Sequence, residues 1–291
     1  SAYWQVRHSQ SDTIKNLASL LKPRLDRYQL APTHLNSFTD LVFSGPEHFF
    51  MNTILRFPRA PTKDGQFGNA IHETLEWANN TYQRTHKLPT QIQLIKVFRQ
   101  QLRGKQLGEK DYSLLQKRGE HCLKAYVAQK LKFFRLGDAH EVNFRNQGVF
   151  VGDAHLSGKI DRLIINRKNK TVTIVDFKTG TSFDRWKSDV KLHKYKQQLY
   201  LYKLLVEGSY AYDGYRVEDA YLQFVEPNDE GKIVDLHIRF TPDEMQHTKQ
   251  LIRAVWQHIK HLDFPAVDQY QQNLRGIKQF EDELIKKLPR E

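Results

Sequence analysis

Gly158-Lys159-Ile160-Asp161-Arg162, followed by Ile174-Val175-Asp176-Phe177-Lys178-Thr179-Gly180, is the stretch that decides how this chain reads. One acid, Asp161, stands at the start of an apolar run. A second acid and a lysine stand two residues apart at the end of the next. Side chains alternate faces along a strand, so Asp176 and Lys178 share a face. The polar turn Arg167-Lys168-Asn169-Lys170 joins the two runs, and a hairpin partner carrying Asp161 can lie beside them. Two carboxylates beside one ammonium can hold a divalent cation and keep a basic group close to an attacking water. That arrangement suits hydrolysis of a phosphodiester.

Working outward, residues 142–151, 156–166 and 171–178 read as three consecutive strands. Residues 194–206 read as a helix with Leu199, Tyr202, Leu205 and Val206 on one side. Strands at 217–225 and 232–240 follow, then a helix announced by Thr241-Pro242-Asp243-Glu244, an N-cap with proline in the first turn and an acid at the third position. The core order is therefore βββαββα. Before it, residues 11–135 read as helical. Ile14, Leu17, Leu20 and Leu21 recur at helical spacing, and Leu30-Ala31-Pro32-Thr33-His34 breaks the pattern, with Thr33 able to cap the next helix. Pro46 opens a helix through Phe49, Phe50, Ile54 and Leu55, and Pro58 and Pro61 end it. Gly65 to Gly68 reads as a turn before Ile71, Leu75 and Ala78. Two more helices are expected near 91–102 and 112–134, and a polar tail helix within 268–288. The expected division is a helical region, 1–135, packed on the core; an α/β core, 136–265; and a C-terminal tail, 266–291.

The chain has 291 residues and a formal net charge of +12, with a pI near 9.5. A surplus of this size points to a polyanionic partner, nucleic acid before membrane. Cys122 is the only cysteine, which excludes a disulfide framework, a Cys-based zinc site and a Cys-ligated iron–sulfur cluster within one chain. The thiol-poor composition fits a cytoplasmic protein. No apolar run approaches the roughly 20 residues that span a bilayer, and no signal peptide is seen. The first residue is Ser, so we expect a chain processed or excised from a longer one.

A D-x-K triplet by itself is usually a surface ion pair. Here Asp176 ends a β-branched apolar run, Thr179-Gly180 turns the chain at once, and a following helix places Gln198 and Tyr202 one turn apart on one face. In this combination the sequence resembles the RecB-type branch of the PD-(D/E)XK nucleases. That branch has a GxxDR strand, a (V/I)D(Y/F)KTG strand and a QxxxY helix in this order. It also has an upstream G-x-x-x-H-x-x-x-(L)E helix, which Gly68-Asn69-Ala70-Ile71-His72-Glu73-Thr74-Leu75-Glu76 resembles. Leu35-Asn36-Ser37-Phe38, Pro46-Glu47-His48-Phe49-Phe50 and Leu55-Arg56 resemble the lead-in of AddB-like and UvrD-like helicase–nuclease C-terminal domains. The resemblance covers residues 30 to 260.

The resemblance implies a restriction-endonuclease-like mixed β-sheet flanked by helices, with a helical N-terminal half. It implies Asp161, Asp176 and His72 as ligands of Mg2+ or Mn2+, with the Phe177 carbonyl as an added ligand. It makes Lys178 the residue that orients or deprotonates the attacking water, and Gln198 and Tyr202 the residues that position the DNA strand and the lysine. Glu141 matches an acid often found on the preceding strand. Glu76, one turn from His72, is either a supporting partner or a solvated acid. His72-Glu73-Thr74-Leu75-Glu76 also begins like the zincin H-E-x-x-H, but Glu76 replaces the second histidine. A lone histidine on an apolar helix is more often a core residue than a ligand, and the resemblance is what favours metal for His72.

Many relatives ligate an iron–sulfur cluster through one cysteine near Pro46 and three after the core. Here Ser44 or Gly45 fills the first position and the later cysteines are missing, so no cluster is expected. The tail helix or tighter packing would take over its structural role. Trp186, Lys187, Lys191, Lys194, Tyr195 and Lys196 read as a basic, aromatic loop for phosphate contact and base stacking, against the plainer reading of a solvated loop. The expected function is a DNA nuclease domain, a single-strand-preferring exonuclease attached to a helicase motor and acting in DNA repair and recombination. The chain has no G-x-x-x-x-G-K-(S/T) loop of its own. The alternatives are a catalytically silent DNA-binding or scaffolding module and a free-standing exonuclease of the CRISPR-adaptation type, which the missing cysteines disfavour.

Overall fold

The structure, a computed structural model, describes residues 10–43 and 45–288, with the side chains of residues 10–17 excepted. Ser44, Ile14 and Leu17 therefore enter no structural argument beyond the backbone of the last two. Among the described residues the lead-in runs α1 (Gln10–Leu25), α2 (Pro32–Thr39) and α3 (Gly45–Phe49), the last running into a π-helical turn at Phe50–Ile54. Three longer helices follow, α4 (Lys63–Thr85), α5 (Gln91–Arg103) and α6 (Glu109–Gln129). The core then runs β1 (Ala139–Asn143), a small hairpin β2 (Phe150–Val151) and β3 (Ala154–His155), β4 (Lys159–Asn166), β5 (Thr171–Lys178), α7 (Val190–Gly208), β6 (Arg216–Phe224), β7 (Asp235–Ile238) and α8 (Pro242–His261). Helix α9 (Leu274–Lys286) closes the chain.

The main sheet has the order β1-β4-β5-β6-β7. All its pairs are antiparallel except β5 with β6, which are parallel. A parallel neighbour needs a crossover, and α7 supplies it. This is the mixed α/β sheet flanked by helices that the sequence predicted. Alternation along β5 sends Val175 and Phe177 into a core with Phe67, Ile71 and Leu75 of α4, Phe98 of α5 and Tyr126 of α6. Val172 and Ile174 enter the other core, with Leu199 and Leu205 of α7 and Val255 of α8. The sheet thus contributes to a core on each of its faces.

The tail helix packs back on the lead-in. Ile277, Phe280 and Leu284 are buried, and the Phe280 ring stacks on Phe38 at 6.4 Å. Phe264 joins Phe38, Phe49 and Phe50. This aromatic cluster fastens α2 and α3 to α9 and the segment before it by apolar contact.

Several local expectations change. Residues 142–151 do not form one strand, because Asn146 and Gly148 both take left-handed backbone and break the run. Gly65 to Gly68 is not a turn. Thr62 caps α4 by accepting the Gly65 amide at 3.1 Å, and the helix runs through both glycines. Gly68 serves packing instead: a Cβ there would lie 3.3 Å from Thr179 Oγ1, so its smallness lets α4 approach the end of β5. Ala31, not Thr33, precedes the first turn of α2, with Pro32 at its start. Helix α7 begins at Val190, capped by the Asp189 carboxylate on the Lys191 and Leu192 amides at 2.8 and 3.1 Å. The helix thus starts ahead of the expected 194 and takes in Lys191 together with Lys194, Tyr195 and Lys196, leaving Trp186 and Lys187 before it.

Arg162, next to Asp161, turns inward. Its guanidinium is buried against Asp138 at 2.6 Å, donates to the Phe133 carbonyl at 2.6 Å and lies over the Phe134 ring. Breaking one side of a buried ion pair strands the other charge, a loss of about 3–5 kcal/mol. Arg162→Ala should destabilise the fold by that amount in a urea titration with an unchanged m-value. A loss under about 1 kcal/mol, the range of an exposed pair, would contradict it.

Candidate active site

Strand register brings the acids together. Ala139↔Leu163, His140↔Arg162 and Val142↔Ile160 place Glu141 of β1 opposite Asp161 of β4. Arg162↔Val175, continued by one residue, places Asp161 opposite Asp176 of β5. Three carboxylates therefore lie in one row across three adjacent strands. Like charges side by side are costly in a sheet, so the row needs cations. Glu141 also takes left-handed backbone at φ 52°, a conformation that costs a non-glycine residue roughly 1–3 kcal/mol and clusters at functional sites.

Helix α4 delivers the first cation. His72 Nδ1 lies 3.3 Å from Asp161 Oδ1 and 3.6 Å from Glu141 Oε1. Burial would push its imidazole down, but Asp161, Glu141 and Asp176 outweigh burial and raise it to about 10. Asp161 is likewise pushed up by burial, yet His72, Lys178 and the amide of Phe177, which donates to Oδ2 at 2.7 Å, hold it below the usual range. His72, Glu141 and Asp161 each offer a ligand atom within 4.8 Å of the others, a group able to hold a metal ion. Lys159 adds an ion pair to Glu141.

Lys178 delivers the second cation. Its Nζ lies 2.7 Å from Asp176 Oδ2 and donates to Gln198 Oε1 at 2.9 Å. The same Gln198 donates Nε2 to Asp176 Oδ1 at 3.2 Å and to Tyr202 Oη at 2.6 Å. One turn of α7 thus reads both the acid and the lysine of β5. Asp176 is buried, and despite Lys178 its burial and the Asp161 carboxylate push it up to about 6. Its Oδ2 is in ion-pair range of Lys178 but accepts no well-angled hydrogen bond, leaving lone pairs for another electropositive partner. The turn after Lys178 depends on Gly180, at φ 102°, where only glycine is unstrained.

Asp161, Asp176, Lys178, Gln198, Tyr202 and His72 lie together, and the Phe177 amide donates to Asp161. Asp176 is outside the compact three-ligand group, and Glu141 is inside it. Glu76 lies near enough to Glu141 that burial and that charge raise its carboxyl. The six basic and aromatic residues divide. Tyr195 stands under Lys178, 4.4 Å from Nζ to ring centre, and Lys191 approaches the same ring at 5.7 Å. Lys194 pairs with Asp40 at 2.8 Å. Trp186, Lys187 and Lys196 line a separate cavity beside α8 and α9, with the Trp186 indole bonded to the His237 carbonyl at 2.6 Å and Lys196 paired with Glu244. They are not brought to the acid row. A helical wheel of α7 separates these two faces, a signal lost once the segment is read as a loop. Sequence reasoning missed Lys159, which strand alternation places on the Asp161 side.

His140, beside Glu141, is buried against Phe134 and Phe177 with both ring nitrogens unpartnered. Burial and Arg162 lower it to about 3. Its folded value lies below the unfolded one, so the unfolded chain binds the proton first as pH falls. Stability should be unaffected by this group above pH 6.5 and fall by up to about 1.4 kcal/mol per pH unit between 6.5 and 3. His140→Phe should flatten that limb in denaturant titrations at pH 7, 6 and 5. An unchanged slope would remove His140 as its cause.

Residues 29–271 match the profile of the PD-(D/E)XK nuclease superfamily. Five solved chains resemble the structure. One, from Eubacterium rectale and described as "Putative exonuclease", superposes with a TM-score of 0.54 at 13% identity, covering 82% of this chain and 84% of its own. No curated protein sequence matches the chain.

Proposed function

This chain belongs to the PD-(D/E)XK nuclease superfamily, and on that footing we propose that it is a divalent-metal-dependent deoxyribonuclease of the RecB-type branch, acting on single strands. The observation that carries the reading is the join between two units. One is the carboxylate row with His72 at its side. The other is Lys178, held by Asp176 and Gln198 at the row's end.

The donor set fits a hard divalent cation. It is mostly carboxylate oxygen, and the buried Oδ2 of Asp176 lacks a hydrogen bond. Asp161, Glu141 and His72 would hold the ion, with Asp176 and the Phe177 carbonyl beside it. Mg2+ suits the oxygens, and one imidazole makes Mn2+ equally acceptable. When bound, the metal supplies charge neutralisation for the phosphate and activation of water.

The chain's own residues do the rest. The Lys178 ammonium faces the scissile phosphate, orients the attacking water and stabilises charge that grows on the phosphate oxygens. Gln198 fixes the lysine and Asp176 relative to each other, so neither must reorganise during attack. Tyr202, whose phenol burial raises well above its usual value, stays neutral and its oxygen accepts the Gln198 Nε2–H, which sets the Gln198 amide. Tyr195, likewise raised, offers its ring to Lys178. Water attacks in line, the P–O3′ bond breaks, and the products carry a 5′-phosphate and a 3′-hydroxyl.

The ordered GxxDR, D-x-K-T-G and QxxxY motifs, together with the His72 helix, support the RecB-type branch. The lead-in around Leu35 to Arg56 supports a helicase motor as the partner that feeds single strands in, in DNA repair and recombination. No described helix is long and apolar enough to cross a membrane. The complete Asp161, Asp176, Lys178 and Gln198 network weighs against a silent binding module.

Digestion of end-labelled single-stranded and blunt duplex DNA tests the reading. Cleavage is expected with Mg2+ or Mn2+, none in EDTA, and faster cleavage of single strands. Cleavage that survives EDTA would remove the metal from the reaction. Equal rates on blunt duplex would remove the strand-feeding argument.

A further inference from the structure

A second polar cavity opens beside the acid row. It has a volume of about 660 Å³ and is lined by Arg24, Arg27, Arg56 and Arg145, with Asn52 and Thr53 between them. No Asp or Glu is among its described lining residues. A neighbouring cleft connects it to the catalytic residues: Gln198, Tyr202 and Lys159 line that cleft at one end, and it shares Arg145 and Ser157 with the arginine cavity. Two adjoining cavities that share Arg145 and Ser157 therefore run from Gln198, which holds Lys178, to four guanidiniums.

We propose that this arginine cavity binds the backbone phosphates of the same nucleic-acid strand whose scissile bond lies at Lys178. The proposal rests on the nuclease reading for the identity of the polymer. Its own support is separate. Four guanidiniums around one space without a described carboxylate repel one another, which does nothing for stability. Arg24 donates one N–H to the Thr53 carbonyl at 3.3 Å; burial, and then the neighbouring Arg56, lower its guanidinium from the usual value. Guanidinium forks match phosphate geometry bidentately.

The backbone is built in unusual ways at this cavity. Asn52 and Thr53 lie on the π-helical turn, a form that recurs at functional sites. Arg56 takes left-handed backbone at φ 59°, where an arginine costs about 1–2 kcal/mol and a glycine almost nothing. A solvated basic face needs neither feature. The arginines come from three separate parts of the chain — the end of α1 with the residues just after it, the exit of the π-turn and the loop after β1 — so their convergence is made by the fold.

The test is the salt dependence of strand binding, read by fluorescence anisotropy of labelled oligo(dT) in Ca2+ buffer. Each phosphate contact to a single strand contributes about 0.7 to the slope of log K against log salt. Arg27→Ala/Arg56→Gly/Arg145→Ala should flatten the slope by about 2 and weaken binding at least tenfold at low salt. These three side chains are exposed, and glycine at 56 suits the backbone, so the variant should fold, with unchanged circular dichroism. The control is Lys110→Ala/Lys117→Ala/Lys124→Ala on exposed positions of α6, which removes the same charge away from the path and should change affinity less than threefold. Wild-type slope in the arginine variant, or an equal loss in both, overturns the proposal. Binding is read without cleavage, so a failed digestion assay would refute the nuclease reading and leave this result to stand on its own.

Discussion

Lys178→Ala should slow cleavage of single-stranded DNA by about 10²–10⁴-fold, the range for loss of a positioned proton-transfer or charge-stabilising group. Binding should hardly change, because one charge is lost from a chain with a net surplus of +12. The effect belongs in kcat, since the ammonium acts on charge that develops only during attack. Lys178→Arg should not rescue it. Gln198 Oε1 and Asp176 Oδ2 converge on a single nitrogen at 2.9 and 2.7 Å, and a planar fork cannot occupy that point. The alanine variant also strands Asp176. That carboxyl is already pushed up to about 6 by burial and Asp161, and losing Lys178 raises it further. An acid whose folded value exceeds its unfolded one is destabilising once pH passes the unfolded value, so the variant's stability deficit should grow from pH 5 to pH 8. Undiminished cleavage would end the assignment of Lys178; a deficit independent of pH would end this account of its neighbour.

The chemistry was legible because its parts are short and local. Asp176 and Lys178 lie on one strand, Gln198 and Tyr202 on one turn of helix, and a fixed period places each pair. Asp161 beside Asp176 needed only a hairpin with an obvious turn. What the sequence hid were relations set by packing. Glu141 is opposite Asp161 through register across β1 and β4, and its left-handed backbone has no sequence signal in a glutamate. Gly65 and Gly68 look like a turn, yet Thr62 caps a helix there and Gly68 is small because Thr179 is close. The basic run 186–196 looks like one loop, but Asp189 starts a helix inside it, so Lys191 and Tyr195 face the lysine while Trp186, Lys187 and Lys196 face α8 and α9. Arg24, Arg27, Arg56 and Arg145 share no motif, and only the tertiary fold gathers them.

Metal addition should raise the melting temperature of the wild-type protein, and Asp161→Asn should abolish that rise. At a free concentration 100-fold above Kd, a ligand that binds only the folded state stabilises it by about 2.7 kcal/mol. For a chain of 291 residues the corresponding shift is roughly 4–5 °C. Asp161 is central because it is bonded on both sides: Oδ1 faces His72 at 3.3 Å and Oδ2 accepts the Phe177 amide at 2.7 Å. Asparagine keeps the shape and can still accept that amide but gives up the ion pair with His72, so the metal-free melting temperature should fall less than in Asp161→Ala while the Mn2+ shift and cleavage are both lost. Asp161→Ala removes the acceptor as well. It should melt lower without metal by the equivalent of about 1–3 kcal/mol, the cost of a buried donor left unpaired. Glu141→Gln and His72→Gln each remove one donor from the same group and should reduce the shift, whereas Glu76→Gln, one turn away on α4, should leave most of it. The two Asp161 variants separate a structural acid from a ligand: if Asp161→Asn keeps the full Mn2+ shift, this carboxylate holds the fold and not the ion.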